Sequence, residues 1–487
     1  MEGHQSMTSI LTSAFDTWSF VLWFSILSLV MMFGNIIRRK VMLFRNLLFP
    51  TAIIAGFLGL GVKYLWYYLP ELVSFVSSTY SSDFLVTAKS NVIDFNNFLQ
   101  VITYHALALG FIAMGLKTVK DSKTKKYKGR PIKTGLLIVN TYLLQGIIGL
   151  IFTIILGYVF TTVAPYSGLL LPMGFGQGPG QANNIGGIFE ANGFVGGQAF
   201  GLAISTIGFI LGSVAGIFYI NRRAKEGLIK RTSKVTRQTL ESMVVEGSEE
   251  IPVSEAIDKM SVQIIFIFVL YAMAWVFMSL LTKLIGDTSS FQQSMVSLVW
   301  GFNFIFAMLF AIIFKLGLKF ITKKGWMKRK YTNEYMLNRL SSVLFDFMVV
   351  ASLMSINIEA LVDTGLLLTL FIITTVGVFA TYYYLRYTTK KIYPDYTIQA
   401  FATLFGNLTG TAPNGIALLR EIDPNFETPA ADDLVTGSSS AVMFGAPLLI
   451  ITGIIYMPEW YYLWISFVAL VIFFIVFNYF MLKENKK

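Results

Sequence analysis

The chain has no cysteine and only two histidines in 487 residues. Disulfides and thiolate chemistry are therefore excluded, and two histidines leave little for a zinc site. Charge is also scarce: Asp, Glu, Lys and Arg make up 13% of the residues, roughly half of what a soluble domain carries. No Walker A sequence is present, so the chain has no ATP drive of its own. The run 174–179 lacks the third glycine of a dinucleotide fingerprint and follows no βαβ pattern. The first residues, Met-Glu-Gly-His-Gln-Ser, lack the basic start of a secretory signal, so the first apolar run is expected to stay in the mature protein. Catalytic clusters are missing throughout, and the expectation is a protein that is not an enzyme and needs no cofactor.

What the chain does have is apolar length. Apolar residues form 55% of it and the mean hydropathy is +0.65. Eleven runs approach the roughly 20 residues that cross a bilayer: 18–37, 47–69, 98–116, 135–160, 200–220, 262–284, 295–320, 337–357, 365–385, 434–456 and 460–482. The expected class is an all-α polytopic membrane protein.

Basic residues alternate along these runs. Arg38, Arg39, Lys40 and Arg45 follow the first, and a cluster from Lys117 to Lys133 follows the third. Arg222 to Arg237 follow the fifth, Lys315 to Lys330 the seventh, Arg386 to Lys391 the ninth, and Lys483 to Lys487 close the chain. The loops between carry acids instead, such as Asp287, Glu359, Asp363 and Glu459. The positive-inside rule then places the N-terminus outside and the C-terminus in the cytoplasm. The net charge of +11 reads as this orientation code, with affinity for anionic inner-leaflet lipids, and not as nucleic-acid binding.

Two glycine-rich breaks interrupt the apolar pattern: Gly174-Phe-Gly-Gln-Gly-Pro-Gly-Gln-Ala-Asn-Asn184 and Gly406-Asn-Leu-Thr-Gly-Thr-Ala-Pro-Asn414. A shift of 230 positions lays Gly176 on Gly406, Gly180 on Gly410, Ala182 on Ala412 and Asn184 on Asn414. The first break follows a run that ends outside and the second a run that ends inside. Each must dip into the membrane and return to its own side. Paired breaks of this kind point to a transporter site at the interface of inverted repeats. The expected division is a first five-span repeat over 1–220 with a re-entrant hairpin at 165–196, and a cytoplasmic linker over 221–261. A second repeat over 262–456 carries its hairpin at 394–431, and 457–487 is an extra C-terminal span with a basic tail.

Helix ends exposed by such breaks favour anions at free N–H groups and cations at free carbonyls. The candidate substrate-binding residues are Gln177, Gly178, Gly180, Gln181, Asn183, Asn184, Thr411, Pro413 and Asn414. Arg420 joins them because a guanidinium binds a carboxylate in bidentate fashion, or else it pairs with Glu421, Asp432 or Asp433. Candidate ion-binding residues are Thr409, Gly410, Ser205, Thr206 and Ser439, the hydroxyl-bearing ones serving equally as small packing residues. Asp346, an intramembrane carboxylate set among apolar neighbours, is a further ion or proton site. His105 is a second titratable group inside a span.

Around the breaks the chain resembles the bacterial glutamate:sodium symporter family. The likeness rests on Gly174-Phe-Gly-Gln-Gly-Pro-Gly180 through Ile188-Phe-Glu190, on Ile204-Ser-Thr-Ile-Gly-Phe-Ile-Leu-Gly212, on Thr411-Ala-Pro-Asn-Gly-Ile-Ala417 and on Phe111-Ile-Ala-Met-Gly-Leu116. It covers about 18–456. The resemblance implies a sodium-coupled carrier of anionic substrates such as glutamate, homodimeric, in the bacterial inner membrane, working by an elevator movement. Carriers of citrate-like acids share that architecture. This chain departs from the family at Gln177-Gly-Pro-Gly180, at Arg420-Glu-Ile-Asp-Pro424 and in its extra last span.

The reading is a secondary active symporter of Na⁺ and a small anion, an amino acid or dicarboxylate. A proton-coupled carrier or exchanger working through Asp346 or His105 is the alternative within transport. A passive anion channel is the alternative from another class.

Overall fold

The computed structural model describes residues 17–42, 44, 50–76, 82–117, 129–229, 258–286, 290–326, 331–423 and 427–483. Most of the expected linker (230–257) and the basic positions 120–128 and 328–330 lie outside the described residues. Every regular element among the described residues is helical. The first seven helices are α1 (Thr17–Lys40), α2 (Thr51–Val76), α3 (Ser82–Leu116), α4 (Arg130–Val159), α5 (Leu170–Phe175), α6 (Pro179–Ala191) and α7 (Gly197–Lys225). Then come α8 (Lys259–Ile285), α9 (Ser290–Gly301), α10 (Asn303–Lys323), α11 (Glu334–Met354) and α12 (Thr364–Ile392). The last are α13 (Thr397–Leu408), α14 (Ala412–Arg420), α15 (Ala430–Phe444), α16 (Ala446–Ile454) and α17 (Trp460–Leu482).

Nine helices among the described residues are long and apolar enough to cross a membrane. The protein is all-α and of multi-pass membrane type, since helices satisfy their own backbone in lipid. Two expected spans differ for local reasons. The second is helical as α2 (Thr51–Val76), with the side chains of 69–76 outside the described residues. The seventh is split, because α9 ends at Gly301 and α10 starts afresh at Asn303. The tenth is broken at Gly445, where α15 and α16 meet at a 50° bend. Pro447 in the first turn of α16 has no N–H with which to continue the helix before it.

The helices gather into two compact units, Met1–Ala106 with Phe345–Ile356, and Leu107–Leu344 with Asn357–Lys487. In the first, α1 and α2 approach closely at Gly34, where a methyl group would stand 2.6 Å from the Ala55 Cβ. Gly56 and Gly59 of α2 receive Leu353 and Met354 in the same manner. Small residues at crossings let apolar helices pack without a hydrophobic drive. Lys63 is buried here, its ammonium donating to Asn96 Oδ1 (3.2 Å) and to the Ile356 carbonyl (3.0 Å) beyond the end of α11. The carbonyl end of a helix is a favourable place for a cation.

The second unit is organised by α4 and α12. Their bonded partners run in opposite order: Thr134 with Tyr393 (2.5 Å), Asn140 with Tyr384 (2.6 Å), Gln145 with Thr381 (3.0 Å) and Thr162 with Asp363 (2.7 Å). The two helices are therefore antiparallel along their whole length. Each is followed by a short 3-10 turn that begins with proline, Pro165–Leu169 after α4 and Pro394–Tyr396 after α12. Each turn leads into a helical hairpin, α5–α6 and α13–α14. Because α4 and α12 are antiparallel, the hairpins start from opposite ends of the pair.

The end of this pair near Asp363 carries a titratable tie. Asp363 caps α12, accepting from Leu366 N–H at 2.9 Å and from the Thr162 hydroxyl. The Thr162 bond first, then that N–H, hold its carboxyl below the ordinary carboxylate value. A depressed carboxylate stabilises the fold fully above its unfolded pKa, and that contribution is lost as pH falls through the folded one. Asp363→Asn should lower the melting temperature at pH 7. The gap to the unsubstituted protein should close as pH falls through and below the ordinary carboxylate range. A gap that does not change with pH would contradict the tie.

Candidate functional site

The two hairpins meet at their tips. Gly178 is the N-cap of α6 and Thr411 the N-cap of α14. A methyl on Gly178 would lie 3.4 Å from Thr411 Cγ2 and 3.9 Å from the Gly410 carbonyl oxygen. Both helices have proline in the first turn, and neither has a side chain capping its first N–H groups. Proline suits that position because its missing N–H would be unpaired anyway. Two positive helix ends thus converge on one place, which disfavours the empty tip and favours an anion.

The other two helix ends at the tips, those of α5 and α13, present carbonyls. Both are capped from the middle of α4. Tyr142 donates to the Gly176 carbonyl at 3.1 Å. Gln145 donates to the Leu408 carbonyl at 2.9 Å and to Thr381 Oγ1 of α12 at 3.0 Å. One helix therefore serves both breaks.

Helix α7 lies along both hairpins through a line of glycines. Gly201 faces the Ala182 carbonyl of α6, Gly208 faces Phe175 and the Thr409 carbonyl, Gly212 faces Thr409, and Gly216 faces Leu418 of α14. The first half of α7 thus packs on one hairpin and the second half on the other. Ser205 and Thr206 fall where the two meet. Ser205 is buried with its backbone against Gly174, and the Thr206 hydroxyl is buried with no hydrogen-bond partner among the described residues.

The structure brings together most, but not all, of the expected residues. Gln177, Gly178, Gly180, Gln181, Thr409, Gly410 and Thr411 line the tips. Gln181 is 1% exposed in the first turn of α6, and both ends of its amide lack a partner among the described residues. Asn183 turns toward α7, where its Oδ1 accepts from Gln198 Nε2 at 2.9 Å. Asn184 reaches the Gly301 carbonyl at the end of α9 (3.4 Å). Asn414 is fully buried, donating to Gly406 O and accepting from the Ser213 hydroxyl, each at 3.4 Å. It braces the second hairpin from inside. Pro413 and Ser439 have helical backbone, and their side chains lie outside the described set.

One expected residue stands elsewhere. Arg420 is the last residue of α14 and is exposed. At 1.5 Å per residue it sits about 12 Å from the tip. The alternative partner Asp433 instead accepts from the Tyr396 hydroxyl, which Arg130 also bonds at 2.8 Å. Asp346 belongs to the first unit; its own side chain is accessible, while Val349, Val350 and Leu353 on the same face of α11 are buried. His105 is in the first unit as well, edge-on to Tyr104 at 5.1 Å.

Three site residues escaped the sequence reading: Tyr142, Gln145 and Thr381. A signal was present. Asn140, Thr141, Tyr142 and Gln145 are four polar residues within two turns of an otherwise apolar span, and intramembrane polar groups usually hold something. A cavity of about 610 Å³ lies away from the tips, at the basic end of α7, beside Phe218, Asn221, Arg222 and Lys225. Among the described residues its lining comes from this one helix end.

Among the described residues, the side chains found bonding the hairpins near their tips are neutral: Tyr142, Gln145, Gln198 and Ser213, with Thr381 holding Gln145. Comparison of the chain with protein-family models and with curated proteins gives no match.

Proposed function

We propose that the protein is a cation-coupled secondary active carrier of a small anion, bound between the hairpin tips. The observation that carries this is the close approach of two helix N-caps, Gly178 and Thr411. Helix N-termini supply N–H groups and partial positive charge to an anion without a charged side chain. The buried, unpaired amide of Gln181 adds a donor and an acceptor at the same place.

A site built from neutral side chains explains coupling. A full anion moved into a low-dielectric interior needs compensation, and the converging dipoles offer only about half a charge each. A co-bound cation at the carbonyl ends of α5 and α13 completes the neutralisation. Anion and cation then bind strongly only together. The antiparallel α4/α12 pair supports an inverted repeat, because it makes the hairpins enter from opposite ends. The resemblance to sodium-coupled glutamate carriers supports Na⁺ as the cation, an amino acid or dicarboxylate as the anion, a homodimer and an elevator movement.

The test uses the purified protein in liposomes, with labelled L-glutamate and citrate as probes. An inward Na⁺ gradient should drive accumulation of one of them above equilibrium. Uptake unchanged with choline on both sides would remove sodium from the proposal. Equilibration without accumulation would indicate a channel. Uptake driven by a pH gradient alone would indicate proton coupling.

A further inference from the structure

We infer that the side-chain oxygen of Gln145 is a direct ligand of the coupling cation. The inference rests on the proposed cation-coupled function and names where the ion sits. Gln145 lies near the midpoint of α4 and is fully buried. Its amide nitrogen donates to two acceptors, the Leu408 carbonyl at 2.9 Å and Thr381 Oγ1 at 3.0 Å. Those two bonds decide which end of the amide is nitrogen. A flipped amide would set its oxygen against the Leu408 carbonyl, and two acceptors cannot bond.

The oxygen is thereby pointed away from both, and it is buried with no donor among the described residues. A buried acceptor without a partner calls for an explanation, an ion being one. A lone acceptor oxygen suits a cation and not an anion. The amide nitrogen already holds the Leu408 carbonyl, at the end of a twelve-residue helix, so a bound ion is left to the oxygen. Among the described residues no group of three or more Asp, Glu, His and Cys side chains comes together. Neutral oxygens alone suit a monovalent alkali ion better than a divalent one, which draws on carboxylates.

The same amide links the ion to the anion site. It fixes the Leu408 carbonyl, and three residues on, Thr411 caps α14 against Gly178. A cation on the Gln145 oxygen would hold that break in the shape the anion needs.

The experiment is a thermal-unfolding titration of purified full-length protein with NaCl, with choline chloride holding ionic strength constant. The metal alone is the probe. The unsubstituted protein should be stabilised by Na⁺ with a saturable midpoint. Gln145→Leu, which removes the oxygen, should raise that midpoint at least tenfold. Gln145→Glu, which keeps an oxygen and adds charge, should hold the midpoint or lower it. A Gln145→Leu protein that titrates like the parent overturns the inference, as does a folded Gln145→Glu protein that no longer responds. If Gln145→Leu does not fold, Gln145→Glu decides alone. A parent protein with no Na⁺ response overturns both this inference and the sodium part of the proposed function. A parent that responds while Gln145→Leu responds equally overturns this inference only.

Discussion

Valine at position 178 should abolish uptake in liposomes while the protein remains folded. Gly178 has φ 85° and ψ −178°, a region open in practice to glycine alone. Forcing another residue there costs about 1–3 kcal/mol. That is affordable for a fold stabilised by about 5–15 kcal/mol, so the protein should still purify as a single species. The strain falls on the N-cap of α6, and relieving it turns the Gly180 and Gln181 N–H groups away from the tip. The added methyls also press on Thr411, whose Cγ2 already stands 3.4 Å from the first added carbon. Displacement of binding groups by about 1 Å can lower turnover about 100-fold. Gly178→Ala, which adds the strain with only an ordinary contact, should fall between the two. Retention of more than half the parent uptake by Gly178→Val would remove the anion from between the tips.

Leucine at position 149 should have the opposite profile, with loss of the fold before any question of transport. Gly149 of α4 and Gly168 of the turn after it touch backbone to backbone. A methyl on Gly149 would lie 2.1 Å from the Gly168 oxygen, and one on Gly168 would lie 2.2 Å from the Gly149 carbonyl carbon. No side chain there can swing aside. Thr153 locks the same crossing, its hydroxyl donating to the Pro165 carbonyl at 2.7 Å and accepting from Gly168 N–H at 3.2 Å. Overpacking of one or two methylenes costs about 1–3 kcal/mol, and a leucine directed at fixed backbone exceeds that. Gly149→Leu should elute from size exclusion in detergent as aggregate, and Gly149→Ala should melt well below the parent. A Gly149→Leu protein with parental melting would mean that the first hairpin is not rooted on α4.

The two glycines mark how far the sequence could be read. The breaks at 174–184 and 406–414 were visible because glycine and proline act on the local backbone wherever they stand. The match at 230 pairs Ala182 with Ala412, whereas the second limbs of the hairpins begin at Pro179 and Ala412, which are 233 apart. The first limb of the second hairpin is longer, and side-chain identity does not reveal limb length. Arg420 was drawn toward the site by its charge, yet a helix of nine residues carries it to the far end. Asp346 shows the other limit: apolar neighbours in sequence do not fix how far one side chain is covered, and its own is accessible while Val350 beside it is fully buried.

Composition and local order were enough to settle that this chain is helical, that most of it is apolar enough for a membrane, and where its two glycine-rich breaks fall. Those properties depend on neighbours within a turn or two, which the chain carries with it. The meeting of Gly178 with Thr411, and of Gln145 with Leu408, joins residues more than 230 positions apart. Only the folded arrangement of antiparallel α4 and α12 brings them together. Apolar helices attract one another with little preference for face or partner, and polar contacts and close glycine approaches choose among the many packings that hydrophobicity allows.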